Sequence, residues 1–254
     1  MEREFFNKNV IVTGCLGELG RGISEDFLSM GAAVYGIDTE QAVETEKAFV
    51  SEMCQKYNDR FHVSVCDITQ VDLIKDYCRK LADEHIDIDV LVNNAGINML
   101  AAAVDVTEEN WNDILDVNLK GTFFMSKEAV RLMNKEKGGA IINISSQHGV
   151  VGNYKRAPYC ASKGGVVNLT KALCLEWAEY NIRVNSILPT FILTSKSESW
   201  LMKPGIYRKY IQDIPMKRYC LVEDIVSAVR FLAGNGASMI TGQALAVDGG
   251  YLAK

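Results

Sequence analysis

The 254-residue chain reads as an α/β protein, one doubly wound parallel sheet covered by helices on both faces, in a single domain spanning 1–254. Three observations predict this. Short β-branched runs alternate with longer helical stretches, which is the pattern of βαβ units. A glycine-rich turn follows the first run and leads into a helix. No linker, repeat or low-complexity run interrupts the chain, so its 48% hydrophobic content serves one large core.

The first strand, 9–13, runs into Gly14, Gly17, Glu18, Leu19 and Gly20 and then a helix over 20–31. Glycines there let the backbone approach a pyrophosphate, and the helix N-terminus offers N–H groups and a positive dipole end. An unliganded glycine turn is the alternative. The second strand, 33–37, ends at Asp38, where a carboxylate can accept from both hydroxyls of an adenosine ribose and repels a 2′-phosphate. That favours NAD over NADP. A helix over 40–57 and a third strand, 61–65, lead to Asp67 and Ile68, placed towards an adenine amino group. After a helix over 70–85, the fourth strand, 88–92, is followed by Asn93, Asn94, Ala95 and Gly96, a tight loop beside the cofactor, with Asn98 just beyond. Each of these is an ordinary turn sequence taken singly. Their agreement in order and strand position carries the inference.

A helix over 107–135 precedes the fifth strand, 140–144, which ends near Ser146, Gln147 and His148. The helix over 158–180 begins with Tyr159 and Lys163, four residues apart and therefore on one face, where the ammonium can depress the phenol's pKa. Such pairs also occur on helices that merely cover a surface. With Ser146 at a neighbouring strand tip, the chemistry suggested is proton transfer at an alcohol or carbonyl. A sixth strand over 183–188, a helix over 222–234 and a seventh strand over 244–247 complete the pattern.

A formal charge of −5 without a Lys/Arg stripe does not favour nucleic acid or an anionic membrane. No apolar run approaches the ~18–20 residues a membrane span needs, and the N-terminus has no signal-like apolar stretch. A soluble, cytoplasmic protein is expected. The seven cysteines contain no Cys-x-x-Cys pair and the three histidines lie far from ligand spacing, so no metal is expected. The partner is a small molecule.

Thr13-Gly14 with Gly20, Asp67, Asn93-Asn94-Ala95-Gly96, Asn118, Ser146, Tyr159-x-x-x-Lys163, Asn185-x-x-x-Pro189 and Thr241-Gly242 through Asp248-Gly249-Gly250 together resemble the short-chain dehydrogenase/reductase family over almost the whole chain. The resemblance implies a Rossmann-type domain with a seven-stranded parallel sheet, a nicotinamide cofactor and a homotetramer. It makes Tyr159 the acid/base, Lys163 the group that lowers its pKa and holds the nicotinamide ribose, Ser146 the substrate-orienting hydroxyl, and Asn118 the support of a proton-relay water. Pro189, Ile192 and Thr194 fall at nicotinamide-carboxamide positions. Two departures stand out: Glu18 replaces the family's middle glycine, and Thr190 stands where many relatives have glycine.

By the same resemblance the segment about 190–212 is a substrate lid. It holds Lys196, Lys203, Arg208 and Lys209, suited to an anionic substrate or to a solvated helix face, with Trp200 among its aromatics. Asn98, Gln147 and His148 add polar groups at the substrate end, His148 being equally readable as a structural loop histidine. Lys155 and Arg156 fit a surface or a subunit interface. The expectation is an NAD-dependent dehydrogenase acting on a sugar acid or polyol, of gluconate-dehydrogenase type. A 3-oxoacyl-thioester reductase is the alternative, and a non-catalytic NAD-binding sensor is disfavoured by the complete Asn118, Ser146, Tyr159 and Lys163 set.

Overall fold

The computed structural model describes residues 4–58 and 60–253. Seven strands, β1 (Asn9–Thr13), β2 (Ala33–Asp38), β3 (Phe61–Val65), β4 (Val90–Asn93), β5 (Gly139–Ile144), β6 (Ile182–Pro189) and β7 (Ala244–Val247), form one sheet of order β3-β2-β1-β4-β5-β6-β7. Every pairing is parallel. The order reverses between β1 and β4, and ligands in such sheets bind beyond the carboxyl ends at that reversal.

Alternate residues of a strand face opposite sides of the sheet, and helices cover both sides, so the middles of the central strands are apolar on both faces. Val10, Val12, Val90, Val92 and Ile142 face one layer, where they meet Ile23 and Phe27 of α1 (Glu18–Ser29) and Ile225 and Val229 of α10 (Val222–Ala233). Ile11, Leu91 and Ile141 face the other, against Ile74 of α4 (Val71–Asp83), Met125 of α6 (Thr122–Val130) and Leu173 of α7 (Ala157–Trp177). Leu169 and Trp177 of α7 also pack on this second layer, and Val166 is buried; Leu175, 81% exposed, is that helix's outward apolar position. Most of the apolar content of α7 thus serves the chain's own core.

Two expected helices are subdivided. The stretch 40–57 breaks at Glu46 into α2 (Glu40–Thr45) and α3 (Lys47–Lys56). The stretch 107–135 is α5 (Glu108–Leu115), a π-helical turn over Asp116–Gly121 and α6, ending at Val130. Such wide turns insert a residue into the helix and are frequent at functional sites; here the inserted turn carries Asn118, which is fully buried. The lid segment is ordered as α8 (Ser195–Leu201) and α9 (Pro204–Asp213), with a small core of Leu201, Ile211, Ile214 and Tyr219. No helix among the described residues is long and apolar enough to cross a membrane.

Candidate active site

The turn after β1 is clamped to the loop after β4. Thr13 Oγ1 accepts from the Asn94 and Ala95 amides at 3.0 Å each, and Asn94 Nδ2 donates to the Thr13 and Gly14 carbonyls at 3.0 Å. Gly14 has φ +63°, and a Cβ there would stand 2.9 Å from the Ala95 Cα, so only glycine fits. Gly17 differs: a Cβ on it would meet nothing closer than the Gly14 carbonyl at 3.6 Å, and it precedes α1 without capping by a side chain. An open face in front of an uncapped helix N-terminus suits a pyrophosphate.

From this turn a cleft of about 740 Å³ extends over the ends of β1, β2 and β3, lined by Gly14, Gly17, Glu18, Leu19, Gly20, Asp38, Asp67, Ile68, Asn94, Ala95 and Gly96. The Asp38 carboxylate accepts from the Leu16 and Thr39 amides, both at 2.9 Å, which fixes it at the ribose end. Asp67 accepts from the Thr69 amide and hydroxyl and from Gln70; burial pushes its carboxyl up, but these bonds outweigh burial and hold it below the usual range. Glu18 turns across the cleft: its Oε2 accepts from the Ser195 amide at 2.8 Å and hydroxyl at 2.6 Å, tying α1 to the first residue of the lid.

A second cavity of about 520 Å³ adjoins the first through Leu19, Asn94, Gly96, Ile97 and Lys196. Ser146, Tyr159 and Lys163 line it, as do Asn98, Gln147, His148, Trp200, Pro189, Ile192 and Thr194. Lys163 is buried and donates to the Ile144 carbonyl at 2.8 Å, and burial lowers its pKa to about 8. Burial raises the Tyr159 phenol, opposed by a hydrogen bond with Ser146 and then by the charge of Arg156. Two cations flank the phenol: Lys163, one helical turn on, whose Nζ lies 5.9 Å from the ring centroid, and Arg156.

Asn118 lines neither cavity; its carboxamide accepts from the Ile97 amide at 2.8 Å and donates to the Ile97 carbonyl and to Ser162, so its side chain positions the loop after β4. The Thr194 hydroxyl caps α8 by accepting from the Ser197 amide. Of the four lid cations only Lys196 lines the cavity, whereas Lys203, Arg208 and Lys209 are exposed on the outside of the lid. The residue that sequence reasoning missed is Arg156: it lines the cavity at 7% exposure rather than lying on the surface.

The fold, the double cavity and the Ser146, Tyr159 and Lys163 cluster define an oxidoreductase that uses a nicotinamide cofactor on CH–OH groups. A family profile described as enoyl-(acyl carrier protein) reductase matches residues 16–252. The chain is 35% identical to an NAD-dependent glycerol dehydrogenase of Listeria innocua over 98% of its length and 95% of that protein. It is also 35% identical to a 3-oxoacyl-(acyl carrier protein) reductase of Chlamydia muridarum, covering 96% and 97% of the two chains. A gluconate 5-dehydrogenase from Burkholderia cenocepacia, solved with NADP and tartrate, superposes with a TM-score of 0.92 at 26% identity, covering 100% of this chain and 98% of that one. The chain belongs to the short-chain dehydrogenase/reductase family.

Proposed function

We propose that the chain is an NAD-dependent dehydrogenase interconverting a secondary alcohol and a ketone on a sugar acid or polyol. The observation that carries this reading is the set of polar side chains, Asn98, Gln147, His148 and Thr190, that share the otherwise largely apolar second cavity with Ser146 and Tyr159. The first cavity suits the dinucleotide: Gly14, Gly17 and Gly20 admit its pyrophosphate, Asp38 its adenosine ribose, and Asp67 and Ile68 its adenine. Asn94, Ala95, Gly96, Pro189, Ile192 and Thr194 lie towards the nicotinamide end.

The cofactor supplies the hydride acceptor or donor. In alcohol oxidation the ionised Tyr159 oxygen takes the hydroxyl proton, and Ser146 holds the same substrate oxygen by a hydrogen bond. Ionisation of a buried phenol requires nearby positive charge, and Lys163 and Arg156 both lie beside the ring. Lys163, anchored on the Ile144 carbonyl, holds the nicotinamide ribose. Asn118 acts through Ile97, keeping the loop after β4 in place.

NAD preference follows from Asp38, whose carboxylate is held by two amides and cannot easily swing away from a 2′-phosphate. NAD is expected to bind at least about tenfold better than NADP, roughly 1.4 kcal/mol, and Asp38→Ala combined with Thr39→Arg to relax or invert the preference. Equal affinities by titration would remove the argument. The chain is read as one domain with a lid over about 190–212, working as a cytoplasmic homotetramer. Seven free thiols suit a reducing compartment, which cell fractionation checks. The outward Leu175 on α7 suits a subunit contact, which light scattering checks.

A screen of polyols, aldonates and 3-oxoacyl thioesters, read by nicotinamide absorbance, tests the function. Turnover of aldonates or polyols with NAD is expected; turnover of thioesters alone with NADPH overturns it. That second reading draws on the exposed Lys203, Arg208 and Lys209, which would face an acidic carrier protein.

A further inference from the structure

The substrate cavity contains an unusual concentration of buried polar atoms without partners among the described residues: Arg156 Nε, His148 Nδ1, Thr190 Oγ1 and both carboxamide atoms of Gln147. Such groups are rare in folded proteins because each loses its water without replacement, so a cluster of them around one cavity marks where a ligand supplies the missing bonds. The His148 ring shows which kind. Its Nε2 lies 3.1 Å from Asn153 Nδ2, an amide that can only donate, so the neutral ring carries its hydrogen on Nδ1, and the ring's remaining polar contact is a weaker one to the Val151 backbone.

Arg156 makes the demand specific. Arg156 is more than nine-tenths buried as a residue, lines the cavity, and has no side-chain hydrogen bond or ion pair among the described residues; its Nε is shut off from solvent. Neutral hydroxyls can satisfy Gln147, His148 and Thr190. A largely buried cation without a counter-charge favours an anion beside it. Arg156 caps α7 at a position three residues before Tyr159, which makes the two side chains neighbours. It is also presented by a residue in an unfavourable backbone conformation, Lys155 at φ +59°, whose carbonyl is held by the Ala101 amide at 3.1 Å.

We propose that Arg156, with donors from His148 and Gln147, is the seat of a substrate carboxylate, so that the substrate is a small hydroxy acid whose reacting carbinol lies a few carbons from its acid group. The planar fork of a guanidinium matches two carboxylate oxygens. Of the other cations lining the cavity, Lys163 is anchored on the Ile144 carbonyl and Lys196 is exposed to water, so Arg156 is the one best placed to hold a substrate anion. This inference rests on the dehydrogenase reading and narrows it: neutral polyols leave Arg156 unpaired, and acyl thioesters have no free carboxylate to offer.

The test compares gluconate with sorbitol as matched acid and polyol, in wild-type protein, Arg156→Met and Arg156→Lys, all with NAD. Removal of the cation is expected to lower the ratio of kcat/KM for gluconate to that for sorbitol by about 10- to 100-fold, the size of a lost charge-assisted hydrogen bond. Lysine should fall between, because it keeps the charge and loses the fork. A ratio unchanged in Arg156→Met overturns the carboxylate seat while leaving the dehydrogenase reading in place, including the case in which the variant alters oligomeric mass because Arg156 pairs with a second copy. Tartrate titration of the NAD-loaded protein, followed by tryptophan fluorescence since Trp200 lines the cavity, gives a readout without turnover. Weakening by about tenfold or more in Arg156→Met is expected, and an unchanged Kd overturns the seat. If wild-type protein oxidises neither compound yet binds tartrate through Arg156, the dehydrogenase reading falls and the seat stands.

Discussion

On the dinucleotide side of the cleft, Thr13, Asn94, Asp38 and Asp67 are each held by backbone or side-chain partners within the chain. On the substrate side, from 53 residues further along the sequence, Gln147, His148, Arg156 and Thr190 bury polar atoms that find none among the described residues. The first side is braced from within and leaves the uncapped start of α1 and Asn93 Oδ1 unmet; the second gathers most of its unmet polar atoms around one cavity. A braced cradle suits a cofactor that is the same in every turnover, and unmet hydrogen-bonding capacity places substrate discrimination on the ends of β5 and β6 and the start of α7.

The largest effect that could break this division is at Tyr159, which belongs to the substrate side alone. Tyr159→Phe keeps the ring and removes the proton carrier, so turnover should fall on the order of 10²-fold or more while NAD affinity stays within about twofold. A loss of NAD binding as large as the loss of turnover would show that the two sides are not separable.

His148 sharpens the comparison through pH. Burial first, and then the charge of Arg156, lower its pKa from 6.5 to about 4. Below pH 6.5 the unfolded chain takes up a proton at this residue and the folded chain does not, so stability should decline as pH falls from 6.5 and level off below about 4. The full contribution is about 3 kcal/mol from a shift of this size. Denaturant titrations of wild type and His148→Gln across that window check it: the variant should show the flatter profile. Identical slopes would mean that His148 protonates in the folded state as easily as in water.

The strands were legible because burial on both faces leaves a continuous apolar run, and Tyr159 with Lys163 because helical spacing is local. What local spacing does not mark depends on distant partners. Asn118, singled out by the family resemblance alone, sits in a π-helical turn, and its side-chain bonds reach Ile97 and Ser162, 21 and 44 residues away. Arg156 follows Lys155 in a polar loop and reads as surface; only the left-handed Lys155 and the packing of α7 turn it inward. The lid cations left two readings open, since their number could be counted and their direction could not. Lys196 lines the cavity, and Lys203, Arg208 and Lys209 are exposed.

The smallest predicted effect lies where the two sides touch. Glu18 belongs to the turn that faces the pyrophosphate, yet its carboxylate holds the amide and hydroxyl of Ser195, 177 residues away in the lid. This contact is exposed and therefore worth little, about 1 kcal/mol or less. A change of that size still shifts the closed-to-open equilibrium of a lid by up to about fivefold. Glu18→Ala should consequently leave the melting temperature nearly unchanged while speeding tryptic cleavage at Lys196, Lys203, Arg208 or Lys209 by up to that factor, because cleavage follows the population of the open form when opening is fast. Ser195→Ala, which keeps the amide donor and removes the hydroxyl, should give a smaller increase. Equal cleavage rates in all three proteins would mean that the lid is held by its own core of Leu201, Ile211, Ile214 and Tyr219, and that the cofactor and substrate sides are mechanically independent at this point.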